Sequence, residues 1–198
     1  MKHSVGFGII GCSNVAQKSF LPALLKSKKA HLEFLGSRSE QKQLSFSKQF
    51  HCKNFGNYEK LLENENVNTV YISLPPALQE QWIIRAAKSG KHIICEKSST
   101  TSFQSAKKML NVCKKNDVRI MESFPFLYHP QHLSVLKHLN QNKIGDYSSL
   151  NANFGFNLDK SPTDFRLKKE LGGGILNDVA CYIIKISTTI FQAIPDQI

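Results

Sequence analysis

Apolar strand-like runs alternate with helix-like segments throughout the first 121 residues, and this alternation constrains the fold more than any other feature. Val5–Ile10 is a short apolar run closed by Gly11, the pattern of a buried parallel strand. Asn14 is placed to cap a helix through about Lys28, with Val15, Phe20, Leu24 and Leu25 at roughly helical spacing. Leu32–Gly36 reads as a second strand, and Ser39 caps a helix to about Phe50. Asn57 caps a short helix with Leu61 and Leu62. Thr69–Leu74 is a strand stopped by Pro75 and Pro76. Gln79–Ser89 is a helix with Gly90 at its C′ position, and His92–Cys95 is the next strand. Ser102 caps a helix to about Lys115, and Val118–Met121 is one more strand. This order predicts an α/β fold, a doubly wound and mostly parallel sheet with helices on both faces.

In such sheets ligands bind at the carboxyl ends of the strands. Here those ends are Gly11-Cys12-Ser13, Ser37-Arg38-Ser39, Pro75-Pro76, Glu96-Lys97 and Glu122-Ser123. The first end continues as Gly8-Ile9-Ile10-Gly11-Cys12-Ser13-Asn14-Val15-Ala16, a strand–turn–helix rich in small residues. Such a turn lets backbone N–H groups approach a pyrophosphate, and the helix N-terminus adds attraction. Gly11 serves the tight turn, Ala16 permits close helix–strand packing, and Ser13 stands where glycine is usual. A plain turn carries two small residues as well, so the motif is informative only in its strand–helix–strand context. The expected reading is a Rossmann-type dinucleotide-binding domain over residues 1–123.

The end of the second strand selects the cofactor. An acidic residue there binds the adenosine ribose hydroxyls of NAD. This chain has Gly36-Ser37-Arg38-Ser39 instead. Arg38 can pair with a 2′-phosphate and stack on adenine, and the serines can donate to the phosphate, which favours NADP over NAD. The bland alternative is a surface arginine beside a helix cap. The cofactor contacts expected from the strand ends are Gly11, Cys12, Ser13, Asn14, Val15, Ala16, Ser37, Arg38, Leu74, Pro75, Glu96 and Lys97.

Composition narrows the classes of function. The chain has 198 residues, 41% of them hydrophobic and 21% charged, an ordinary globular balance. No unbroken apolar run reaches the ~18 residues of a bilayer span, and the N-terminus carries no separate apolar segment with a cleavage site. Neither a membrane nor a secretory signal is expected. The net charge is +11, but the lysines are spread in ones and twos without interleaved aromatics, so no nucleic-acid partner is expected. Five cysteines, odd in number and widely spaced, form no CxxC pair. They argue against a disulfide framework and against a zinc site, and for a reduced, cytoplasmic protein without a metal.

After Phe124 the texture changes. His129-Pro130 begins a helix to about Leu139, and Asp146–Asn157 alternates loosely like a long strand. A polar stretch to Glu170 and the run Gly172-Gly173-Gly174 precede an apolar helix from Ile175 to about Ile190.

Three separated segments carry a resemblance. Ser89-Gly90-Lys91-His92-Ile93-Ile94-Cys95-Glu96-Lys97 resembles the AGKHVLCEKP segment of the glucose–fructose oxidoreductase / inositol dehydrogenase / MocA family. Met121-Glu122-Ser123-Phe124 through His129-Pro130 is similar to its ME-x-F…HP segment. Leu171 through Tyr182 resembles its GGG-x-L-x-D-x-G-x-[HY] segment. The segments come in the family's order, and the resemblance covers essentially the whole chain. Four positions depart from the pattern: Ser98 for a proline, Gln79 for a histidine, Leu127 for an arginine and Ala180 for a glycine.

The resemblance implies catalytic roles for Lys97, Asp178 and Tyr182. Lys97 would polarise the substrate oxygen, although on its own it reads equally as a solvent lysine after a strand. Asp178 and Tyr182, four apart on one helix, share a face. Asp178 would bind a sugar hydroxyl, and Tyr182 would be the general acid for ketone reduction. A free tyrosine titrates near 10, and a lysine cation beside it would lower that value. A solvated helix face is the alternative for both, yet the surrounding Ile175, Leu176, Val179, Ile183 and Ile184 bury much of the helix.

The implied activity is hydride transfer between a nicotinamide and a sugar or sugar-nucleotide carbinol or ketone. Family members are longer, so residues 124–198 read as an incomplete substrate domain. A fragment, an early-terminated product or a chain that pairs with a second copy is expected. The alternative function is a dinucleotide-binding remnant or regulator without catalysis.

Overall fold

The computed structural model describes residues 4–158, 161 and 164–197. Residues 1–3, and part of the polar stretch 158–170, lie outside the described residues. The chain divides into two compact units, Met1–Ser123 and Phe124–Ile198.

The first unit is one sheet of six parallel strands: β1 (Val5–Ile10), β2 (Ala30–Gly36), β3 (Phe55–Gly56), β4 (Thr69–Ile72), β5 (His92–Glu96) and β6 (Ile120–Ser123). They lie in the order β3-β2-β1-β4-β5-β6. The chain winds outward to β3, then returns beside β1 and winds outward to β6. The reversal between β1 and β4 opens a crevice at the carboxyl ends of the strands.

Strand pleating sends successive side chains to opposite faces. Ile9, Leu35 and Tyr71 pack with Leu21 and Leu24 of α1 (Leu21–Leu25) and with Phe46 and Phe50 of α2 (Glu40–Phe50). Their neighbours Ile10, Phe34 and Ile72 pack on the other face. There they meet Leu61 and Leu62 of α3 (Tyr58–Glu63), Ile83 of α4 (Pro76–Lys88) and Met109 of α5 (Phe103–Lys115). Helices thus cover both faces, the doubly wound arrangement expected of the sequence.

Caps explain most helix starts. Ser39, Asn57 and Ser102 accept from the backbone N–H groups of Lys42, Lys60 and Ser105. The first helix differs from expectation. It is π-helical over Ala16–Phe20 before α1, and Ser13 rather than Asn14 caps it, its Oγ accepting from the Ala16 N–H at 3.1 Å. It ends at Leu25 rather than near Lys28. α4 begins at Pro76, where a missing N–H costs no hydrogen bond, instead of at Gln79.

The second unit opens with a 3₁₀ turn, Pro125–Tyr128, and α6 (Pro130–Asn140), capped by His129. The expected strand over 146–157 does not form. Those residues form no regular element and are mostly exposed, with no ladder partner among the described residues, and a strand without one leaves its backbone groups unpaired. Short 3₁₀ turns at Phe165–Leu167 and Lys169–Leu171 lead through the glycine run to a π-helical stretch, Leu176–Ala180, and α7 (Cys181–Phe191). Tyr147 donates to the Ile190 carbonyl at 2.8 Å and packs on Phe191. The stretch Lys169–Phe191, with mean hydropathy 1.3, is long and apolar enough to cross a membrane by length and composition alone. Asp178 lies within it, paired with Arg166.

Candidate functional site

The turn after β1 is built by glycine and two hydroxyls. Gly11 has φ +103°, and a Cβ there would stand 2.9 Å from Leu74 Cδ2 and 3.0 Å from the Ser73 carbonyl. Only glycine keeps the backbone bare at this point. Ser13 Oγ donates to Ser73 Oγ at 2.9 Å, and Ser73 Oγ donates to the Gly11 carbonyl at 2.8 Å. The serine in the place of a usual glycine therefore ties the turn to the end of β4, at the reversal of strand order.

Next to this turn lies a cavity of about 220 Å³ lined by Gly11, Ser13, Arg38, Lys42, Tyr58 and Leu74, among others. Its lining combines bare backbone and hydroxyls with two cations. Arg38 follows β2, and Lys42 stands four residues on, in the first turn of α2. Ser39 caps that helix, so its free N–H groups add positive potential. Burial pushes the Tyr58 phenol above its ordinary value, against the lowering effect of the neighbouring Arg38, so it remains a neutral donor. Bare turn, two cations and phenol fit the phosphates and phosphorylated ribose of NADP.

The expected cofactor residues divide. Gly11, Cys12, Ser13, Ser37, Arg38 and Leu74 line the cavity; Asn14, Val15, Ala16 and Pro75 do not. Ala16 is fully buried and seats the helix on the sheet. Cys12 is buried with its thiol toward the Gly36 carbonyl (3.7 Å), and burial pushes its pKa up to about 11. Ser37 Oγ accepts from the Ser39 N–H, which shapes the loop bearing Arg38. Glu96 accepts from the Tyr71 hydroxyl at 2.7 Å, and Tyr71 in turn stacks on Phe20.

Lys97 follows Glu96 at the carboxyl end of β5, and the Lys97–Ser98 peptide is cis. Gln79, fully buried, holds both sides of it: Nε2 donates to the Glu96 carbonyl at 3.0 Å and to the Ser98 carbonyl at 3.1 Å. The Ser99 N–H donates to Glu122 Oε1 at 2.7 Å. In the second unit, Asp178 is 8% exposed and accepts from Arg166 Nε at 2.8 Å. Tyr182 packs among Phe124, Phe126 and Phe154, with ring centroids 5.2–5.9 Å away. Among the described residues no cluster of three or more His, Cys, Asp or Glu side chains is arranged to hold a metal ion.

Sequence reasoning passed over Lys42, Tyr58, Ser73 and Arg166, and marked Gln79 only as a departure from the family pattern. Lys42 was within reach, since its four-residue spacing from Arg38 across a cap brings the two together. Tyr58 and Ser73 arrive through the topology, from α3 and the end of β4, and no local signal marks them.

Residues 5–124 match the oxidoreductase family with an NAD-binding Rossmann fold known as GFO/IDH/MocA, and residues 132–198 match a C-terminal domain of the same family. A dTDP-3,4-didehydro-2,6-dideoxy-alpha-D-glucose 3-reductase of Actinomadura kijaniata is 35% identical over 90% of this chain and 53% of its own length. An NADP(+)-dependent D-xylose 1-dehydrogenase of Haloferax volcanii is 31% identical over 97% of this chain and 58% of its own. The crystal structure of KijD10, a 3-ketoreductase from Actinomadura kijaniata in complex with NADP and TDP-benzene, superposes with a TM-score of 0.90 at 32% identity. That superposition covers 96% of this chain and 58% of the solved one. The chain spans a little over half the length of these relatives. Two matching regions together cover nearly every residue, and the chain belongs to the GFO/IDH/MocA oxidoreductase family.

Proposed function

We propose that this chain carries the NADP-binding domain and part of the substrate domain of an oxidoreductase acting on a sugar or sugar nucleotide. The observation that carries this reading is the cavity lined by the bare Gly11 turn together with Arg38 and Lys42. A 2′-phosphate meets two cations and a capped helix N-terminus there, whereas the 2′-hydroxyl of NAD would leave both cations without an anion. The NADP named for KijD10 and for the Haloferax xylose dehydrogenase supports the same cofactor. The TDP-benzene of KijD10 and the names of the reductase relatives support a sugar-nucleotide substrate.

When bound, the nicotinamide exchanges a hydride with the substrate carbon. Lys97, held on either side by Gln79, polarises the substrate oxygen. Asp178 accepts a hydrogen bond from a sugar hydroxyl. Tyr182 delivers a proton to the developing alkoxide in reduction and withdraws it in oxidation. We place residues 1–123 as the cofactor domain and 124–198 as a partial substrate domain. The five thiols are free, which fits the cytoplasm.

A second reading is a dinucleotide-binding chain without turnover, for which the cavity beside the Gly11 turn suffices by itself. One titration series decides. NADPH and NADH binding are measured by fluorescence, followed by NADPH oxidation with dTDP-linked keto-sugars. Tight NADPH binding with turnover is expected. Binding without turnover selects the second reading, and binding of neither dinucleotide removes both.

A further inference from the structure

We infer that Arg166 is a positioning residue for the substrate site: it holds Asp178 ionised and oriented through an ion pair that the glycine run sets in place. This rests on the assignment of Asp178 to a sugar hydroxyl. A carboxylate as deeply buried as Asp178 needs a partner that offsets its lost hydration. Arg166 supplies one through Nε at 2.8 Å from Oδ2. The guanidinium is itself fixed on several sides. Its Nη1 reaches Asp164 Oδ1 at 3.3 Å, and its carbon lies 4.8 Å from the Phe165 ring and 5.9 Å from that of Phe156. Asp164 Oδ1 also accepts from the Arg166 N–H at 2.9 Å, so the backbone beneath the arginine is held as well.

The glycines explain how two residues twelve apart meet. The Gly174 N–H donates to the Arg166 carbonyl at 2.9 Å, and the Gly173 N–H donates to the Lys168 carbonyl at 3.0 Å. A Cβ at Gly173 would stand 2.5 Å from the Phe165 carbonyl oxygen and 2.6 Å from that of Arg166, too close for any side chain. The Asp178 N–H then donates to the Gly174 carbonyl at 3.1 Å. Gly174 therefore joins the arginine's backbone to the turn that carries the aspartate. The run serves close backbone contact here.

The test uses the full chain with ¹³C-carboxyl-labelled aspartate, the Asp178 resonance being assigned with Asp178→Asn. In Arg166→Met the Asp178 titration midpoint rises by about one pH unit or more. NADPH affinity stays within about twofold of wild type, because the cofactor cavity is formed by the first unit. Arg166→Lys keeps the charge but loses the planar fork, so the midpoint stays low while KM for a dTDP-linked keto-sugar rises about tenfold. An unchanged midpoint in a folded Arg166→Met chain, or an unchanged KM in Arg166→Lys, overturns the inference. If the wild-type chain turns over no keto-sugar, the proposed activity falls, and the midpoint alone decides whether Arg166 holds Asp178.

Discussion

At Gly11 the backbone carries a conformation that a side chain resists and stands in a space a side chain would fill. Gly11→Ala is expected to cost about 1–3 kcal/mol in stability and to weaken NADPH binding tenfold or more. Urea denaturation and fluorescence titration measure the two effects separately. Arg38 and Lys42 make a different kind of contribution, since both are outside the core and neither packs the fold. Replacing either with alanine is expected to raise the Kd for NADPH by about tenfold, near 1.4 kcal/mol, and to leave NADH binding almost unchanged. A variant that loses both dinucleotides equally would show that the two cations do not read the 2′-phosphate. Gln79 shows how a departure from the family pattern can still serve the same segment. Its amide nitrogen spans the Glu96 and Ser98 carbonyls, and only its Oε1 lacks a partner among the described residues.

At the scale of elements, success and failure in reading the sequence have physical causes. Ser39, Asn57 and Ser102 were legible as caps because the cap is a local bond, made within three residues. The last strand was read at Val118–Met121 but spans Ile120–Ser123, because the Val118 N–H closes the preceding helix onto the Cys113 carbonyl. β3, only two residues long, gave no periodicity to detect. The segment 146–157 was misread for the opposite reason: its alternation is real, but a strand is made by its neighbour, and none is present among the described residues. Its amides are therefore expected to exchange with deuterium orders of magnitude faster than those of β1 and β4, which are paired on both sides. Slow exchange over 146–157 in solution would mean that it finds a ladder partner. Of the site, the turn and Arg38 were legible since they sit at strand ends. Tyr58, Ser73 and Arg166 were not, because each reaches its partners through tertiary contact.

For the molecule as a whole, buried thiols set a limit at high pH. Burial lifts Cys12 and Cys52 from an ordinary value of 9.0 to about 11. Cys95 and the Tyr71 phenol are pushed up in the same sense. The folded chain keeps these protons where the unfolded chain releases them. Their contribution is complete below about pH 9 and is lost as pH rises through 11, on the order of 2 kcal/mol for each of the two thiols. Urea midpoints at pH 8 and pH 10.5 are expected to differ accordingly, the alkaline one being lower. Equal midpoints would mean that the thiols are more open to water than the structure places them.

β1 faces both cores, with Ile9 on one side and Ile10 on the other. It works like the shared tooth row of two zips. One residue inserted within Val5–Ile10 would turn every side chain beyond it to the wrong face and unfasten both layers together. Length variation among descendants of this chain should accordingly collect in stretches such as 146–157 and spare the strand that ends in the phosphate turn.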